Sequence, residues 1–186
     1  PGRASPLRLA RPTDLADEPH RLRDAVPLLV ECLPERLPGA GRILVFRCGY
    51  GLVPALALAR YPGASVVATD RDLLGTELTR RNAVWAGDRL RVVESAFLAG
   101  VREHAPFDLI LGELSPPLGS MATLVELEEA RGMLAPGGVA LVLGLAKQWR
   151  ELLAGAAERL GIAKRGARGA AALYSIDPKS LTASSG

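Results

Sequence analysis

The chain has 186 residues, 48% apolar and 23% charged with a net charge of +3, the profile of one globular domain large enough to bury a core. No run approaches the roughly 20 consecutive apolar residues that span a bilayer. The opening PGRASPLRLARPTDLADEPH has no apolar segment of signal-peptide type, so a cytoplasmic protein with no membrane partner is expected. Cys32 and Cys48 lack CxxC spacing and a His/Cys partner set, which argues against a disulfide framework or a metal site. The first residue is Pro1 rather than Met, as expected of numbering that begins inside a longer chain or after processing.

Residues 1–19 hold four prolines and no sustained periodicity, and are expected to form an extended arm. A helix is expected over His20–Arg36, dented by Pro27 and ended near Pro34. From Arg42 the chain reads RILVFRCGYGLVPALALARYPGASVVATD. That is a strand (Ile43–Phe46), a turn with Gly49 and Gly51, a helix (Leu52–Arg60) and a second strand (Ser65–Thr69) ending on Asp70. Cys48 is expected to fill a small slot in the turn, and Cys32 the core of its helix. Next come a helix from Leu73 to Ala86, a strand at Leu90–Val93 and a helical stretch at Phe97–His104. The buried strand Phe107–Leu111 leads into the loop GELSPPLGS, and Ala122–Leu134 is helical. Pro136-Gly137-Gly138 turns into a fifth strand, Val139–Leu143; the helix Trp149–Leu160 ends at Gly161, and Ala170–Ile176 is the last strand. The expected organisation is the arm, one domain over residues 20–178 and a flexible tail over 179–186.

Strands alternating with helices through right-handed crossovers predict an α/β, doubly wound, seven-stranded and mostly parallel sheet, with one antiparallel strand near the C-terminus. Ligands of such sheets sit beyond the carboxyl ends of the strands. The turn at Cys48–Gly51, Asp70, Ser95 and the loop Ser115–Leu118 all fall on that edge. Gly49 and Gly51 permit close backbone approach to a ligand, or serve only the tight turn. Asp70 can accept both hydroxyls of a ribose, or cap the helix that starts near Leu73. Glu113 is a surrogate general base or a solvated loop acid; His20 and His104 are isolated, and Trp85 and Trp149 are expected in the core. From Ala140 onward there are seven Lys/Arg against three acids. Lys147, Arg150, Lys164, Arg165 and Arg168 form either a face for RNA phosphates or a solvated surface.

Together the glycine turn, the acid ending strand two, RRNAVWAG, FDLIL before a double proline and LAPGGVALVLG resemble class I S-adenosylmethionine-dependent methyltransferases over roughly residues 20–176. More narrowly the chain resembles the small-subunit ribosomal RNA guanine-N2 methyltransferase family, whose members often carry two tandem methyltransferase-like domains. Its ending, with Lys147 after the fifth strand and an Arg-Gly loop before the last, is similar to the worn N-terminal copy. The resemblance implies S-adenosylmethionine as cofactor, held by Cys48, Gly49, Gly51, Asp70 and Ser95. It also implies a target-base loop at Ser115, Pro116 and Pro117, and ribosomal RNA or the small-subunit particle as partner, with a catalytic methyltransferase domain as a further one. The sequence departs from the family where an acid and the first of three alternating glycines belong: Val45 and Arg47 stand there. Ser95 or Ala96 replaces the Asp or Asn that meets adenine, and Ser115-Pro116-Pro117-Leu118 replaces Asn-Pro-Pro-Phe. Leu118 has no ring to stack, and Arg47 sets a long cation where backbone should touch the ligand. Weak or absent cofactor affinity, relative to the family's catalytic domains, is therefore expected. Three classes of function stay open: an active methyltransferase on RNA or another nucleophile, a silent module that binds ribosomal RNA or supports a catalytic domain, and another enzyme on the same fold.

Overall fold

The structure, a computed structural model, describes residues 9–10, 18–114, 119–153 and 160–177. Its helices are α1 (Glu18–Cys32), α2 (Leu52–Arg60), α3 (Leu73–Asn82), α4 (Gly119–Gly132) and α5 (Ala146–Leu153). Its strands are β1 (Arg42–Phe46), β2 (Ser65–Asp70), β3 (Leu90–Glu94), β4 (Phe107–Glu113), β5 (Leu134–Leu145), β6 (Ile162–Arg168) and β7 (Ala171–Ile176). Among the described residues these seven strands form one sheet in the order β3-β2-β1-β4-β5-β7-β6. β1 to β5 pair in parallel, and β7 runs antiparallel to both β5 and β6. The expected doubly wound sheet with one reversed strand is the observed one.

The chain enters the sheet at β1, moves outward through β2 and β3, and then returns to place β4 on the other side of β1. That reversal puts the switch point between β1 and β4, where the connections leave toward opposite faces and open a crevice at the carboxyl ends. β1 and β4 are apolar almost throughout because both of their faces are covered. Side chains alternate between two cores. Ile43, Val45, Leu109 and Leu111 pack with Leu29 of α1 and Leu58 of α2. Leu44, Phe46 and Ile110 pack with Leu127 of α4 and Trp149 of α5.

Several local expectations are corrected. The first helix is Glu18–Cys32 with Pro27 inside it, so Pro34 lies just beyond its end. α3 stops at Asn82 and a 3₁₀ segment, Val84–Arg89, follows, because Gly87 adopts φ +56° and breaks the helical path. Trp85 lies on that segment and is exposed rather than in the core, whereas Trp149 is fully buried and stacks on Tyr174. Pro136-Gly137-Gly138 lies within β5 at an irregularity in its pairing with β4, not in a separate turn. The basic run around Lys164, Arg165 and Arg168 is the edge strand β6, not a loop. Of the helix expected at Trp149–Leu160, residues 154–159 lie outside the described residues; Gly161 has the left-handed φ of +60° expected after a helix end.

Candidate functional site

The turn after β1 alternates left-handed residues: φ is +54° at Arg47, +52° at Gly49 and +93° at Gly51. Arg47 thus adopts the backbone of a glycine, at a cost of about 1–2 kcal/mol for a side chain in that region. The turn is held from two sides. From β2, the Thr69 carbonyl accepts the Cys48 N–H at 3.1 Å and Asp70 Oδ2 accepts the Gly49 N–H at 2.8 Å. From α3, Thr79 Oγ1 donates to the Gly49 carbonyl at 2.9 Å. α3 packs so closely that a Cβ on Gly51 would lie 2.8 Å from Thr79 Cα, and one on Gly75 would lie 3.0 Å from the Gly49 oxygen. A Cβ on Gly49, by contrast, would meet nothing within 4 Å. Gly51 and Gly75 therefore serve packing, and Gly49 opens on free space.

That space is a cleft of about 720 Å³ continuous with solvent, bordered by Arg47, Gly49 and Tyr50 of the turn, Glu113 of β4, and Ala25 and Leu29 of α1. Asp70 stands beside the turn at the tip of β2. Its Oδ1 accepts the Asp72 N–H at 3.0 Å, and each carboxylate oxygen keeps a further lone pair. The helix cap is Asp72, whose side chain accepts the Leu74 N–H at 3.0 Å, so Asp70 does not cap α3. Ser95 follows β3 next to Asp70, with its N–H on the Asp70 carbonyl at 3.0 Å. Its hydroxyl turns back to the Phe97 carbonyl at 2.6 Å. Cys48 fills its slot: it is buried, it lies 3.4 Å from Thr79 Oγ1, and burial pushes its thiol up to about 12. Cys32 is half-buried against the α1-side core.

This glycine turn, strand-tip carboxylate and switch-point crevice can be set beside known proteins. The methyltransferase small domain family matches residues 20–166. The chain belongs to that family. A ribosomal protein L11 methyltransferase of Rhizobium etli is 33% identical over 115 residues, covering 58% of this chain and 38% of that protein. A ribosomal RNA small subunit methyltransferase C of Hahella chejuensis is 36% identical over 124 residues, covering 63% of this chain and 34% of its own length. The chain thus spans little more than a third of the length of these curated relatives. Among solved structures, the 16S rRNA N2 guanine methyltransferase of Thermus thermophilus, in complex with AdoMet and guanosine, superposes with a TM-score of 0.69 at 19% identity, over 90% of this chain and 45% of that one. A hypothetical protein of the same organism superposes with a TM-score of 0.69 at 25% identity, over 95% and 96% of the two chains.

Within this methyltransferase small domain, the Arg47 cation does not point into the cleft as free charge. Its guanidinium forms an ion pair with Glu126 of α4, and both side chains are largely buried, at 15% and 8% exposure. Burial pushes the Glu126 carboxyl up, and Arg47 only partly offsets that rise. Val45 is fully packed in the core, so β1 brings no carboxylate to the crevice; Glu113 on neighbouring β4 does. Ser115, Pro116, Pro117 and Leu118 lie outside the described residues.

The five candidate RNA cations do not share one surface. Lys147 lies in the first turn of α5, just after β5, 3.9 Å from Glu151. Arg150 and Lys164 border one shallow pocket over Tyr174. The pairing of β6 shifts between Lys164 and Gly166, at Arg165. Beyond that shift the side chains change face, and Arg168 pairs at 2.9 Å with Glu31 of α1. Sequence reasoning missed Gly75, Thr79, Asn82 and Glu126 as parts of the site. The first three lie on one face of α3, and their spacing on a helix after an acid-tipped strand was the available signal. Glu126 had none.

Proposed function

We propose that the crevice binds S-adenosylmethionine and that the chain is the cofactor-binding fold of a methyltransferase directed at ribosomal RNA, at guanine N2. The observation that carries the reading is Gly49, left-handed and open to the cleft while Asp70 and Thr79 fix its N–H and carbonyl. A backbone held with no side chain in the way is what close approach of a nucleoside ligand requires. Asp70 would take the ribose hydroxyls with its remaining lone pairs, Cys48 and Gly51 keep the turn tight, and Ser95 borders the base. Glu113 would stand in for the missing β1 acid by accepting from a cationic amine. Bound S-adenosylmethionine supplies an electrophilic methyl group; Ser115, Pro116 and Pro117 would orient the acceptor beside it. The names of two relatives, a ribosomal RNA small subunit methyltransferase and a ribosomal protein L11 methyltransferase, support a ribosomal target.

One observation favours a second reading, a silent module that binds ribosomal RNA or supports a catalytic domain. The first glycine position is Arg47, committed to a buried ion pair with Glu126, and no acid follows from β1. Calorimetric titration with S-adenosylmethionine separates the readings, together with transfer of labelled methyl to small-subunit particles. Binding with Asp70→Ala at least tenfold weaker, since a hydrogen bond to a charged group contributes roughly 1.5–3 kcal/mol, supports the cofactor site. Binding without transfer keeps the cofactor site in a chain that does not turn over, and no binding refutes the cofactor reading and selects the silent module.

A further inference from the structure

Asn82 ends α3 with its side chain buried. Its Nδ2 donates to the Ala10 carbonyl at 2.7 Å and to the Tyr50 carbonyl at 2.6 Å, and its Oδ1 accepts the Ala10 N–H at 2.7 Å. One amide therefore grips both backbone groups of a residue 72 positions away, and a carbonyl of the glycine turn as well. Reversing the amide would set donor against donor and oxygen against two carbonyls, so the three partners dictate its orientation. A donor and acceptor paired in this way match the N–H and C=O of a single extended residue. Recognition of that kind reads backbone, and the Ala10 side chain is left exposed.

Tyr50 lies between Gly49 and Gly51 and borders the cleft. Thr79, one turn earlier on α3, holds the Gly49 carbonyl. The last turn of α3 thus holds two successive carbonyls of the glycine turn, and the Asn82 contact also ties that turn to the N-terminal segment.

We propose that Asn82 is a positioning residue whose amide captures the chain's own Leu9–Ala10 backbone as a strap and, through the Tyr50 carbonyl, sets the glycine turn for its ligand. The ligand half of this inference rests on the crevice being the S-adenosylmethionine site. The strap half does not.

The test uses the full chain. Ala10→Pro removes the N–H that Asn82 accepts and changes nothing in the crevice; Ala10→Ser keeps both backbone groups. S-adenosylhomocysteine affinity by calorimetry and amide exchange of Ala10 and Gly51 by NMR are the readouts. In the parent, Ala10 exchanges more slowly than an unstructured peptide. Ala10→Pro weakens S-adenosylhomocysteine binding about tenfold and speeds Gly51 exchange by a similar factor, the scale of one lost buried hydrogen bond. Ala10→Ser matches the parent. Asn82→Asp, which replaces both donors by acceptors, speeds Ala10 exchange and reproduces the Ala10→Pro effect. Peptide-like exchange at Ala10 in the parent, or parental binding and Gly51 exchange in Ala10→Pro, overturns the proposal. If the parent does not bind S-adenosylhomocysteine, the cofactor reading fails by itself. Gly51 exchange in Ala10→Pro then decides the strap: acceleration supports it and parental exchange overturns it.

Discussion

Removing Glu126 should destabilise the fold far more than removing its partner. Glu126→Leu strands the Arg47 guanidinium, only 15% exposed, without its carboxylate, and its Nη1 already has no partner. Breaking a buried pair from one side costs about 3–5 kcal/mol. At roughly 2–4 °C per kcal/mol for a domain of this size, the melting temperature should fall by about 6–20 °C. Arg47→Gly acts differently. It relieves about 1–2 kcal/mol of left-handed strain, and the Glu126 carboxyl it leaves buried without a cation can take up a proton. The double variant Arg47→Gly/Glu126→Leu should recover most of the loss, with a coupling of at least ~2 kcal/mol. Urea unfolding of the four chains measures this. Single variants within ~0.5 kcal/mol of the parent that simply add would refute the buried pair. The pH dependence gives a second check. Burial raises Glu126 above its ordinary 4.5, so between 4.5 and the raised value the native chain holds more of this proton than the unfolded chain does. Stability contributed by this group is therefore present below 4.5 and lost as pH rises through the raised value. Arg47→Gly should deepen that loss.

Gly51→Ala should cost at least ~2 kcal/mol, because left-handed strain adds to a Cβ placed 2.8 Å from Thr79 Cα. Gly49→Ala should cost only the strain, about 1–2 kcal/mol, yet abolish ligand binding; thermal melts beside calorimetry separate the two, and equal destabilisation would refute the distinction. Cys48, pushed up to about 12 from 9.0, should react with iodoacetamide at pH 8 roughly a thousandfold more slowly than an ordinary thiol, while Cys32 reacts first. Prompt labelling of Cys48 in the native chain would contradict its burial. Because the cations split across two faces, RNA affinity should fall with salt by fewer than five contacts' worth, at about 0.9 log units per contact for duplex. Lys147→Ala/Arg150→Ala should reduce that slope more than Arg168→Ala, whose charge is already paired with Glu31.

What the sequence determined by itself is what local chemistry and periodicity control. α2 falls on Leu52–Arg60 as its apolar spacing requires, and α3 starts at Leu73 as expected. The runs RILVF and FDLIL could only be buried strands, and the alternation of strand and helix forced the parallel sheet and its ligand edge. The tertiary structure decided whatever depends on partners distant in sequence. β6 was illegible because an edge strand needs one paired side and no buried stripe, so KRGAR carries no apolar alternation to detect. Arg47 looked like an obstruction to a ligand until Glu126, 79 residues away on α4, gave its charge a partner. Asp70 was the candidate cap for α3, and the path of the turn gave that role to Asp72 and left Asp70 to the Gly49 N–H. Asn82 sat within a recognised motif, yet its partners Ala10 and Tyr50 belong to other segments. Hydrogen bonds and ion pairs of this kind leave no periodic trace along a chain, because each requires only two groups brought together by the packing of everything between them.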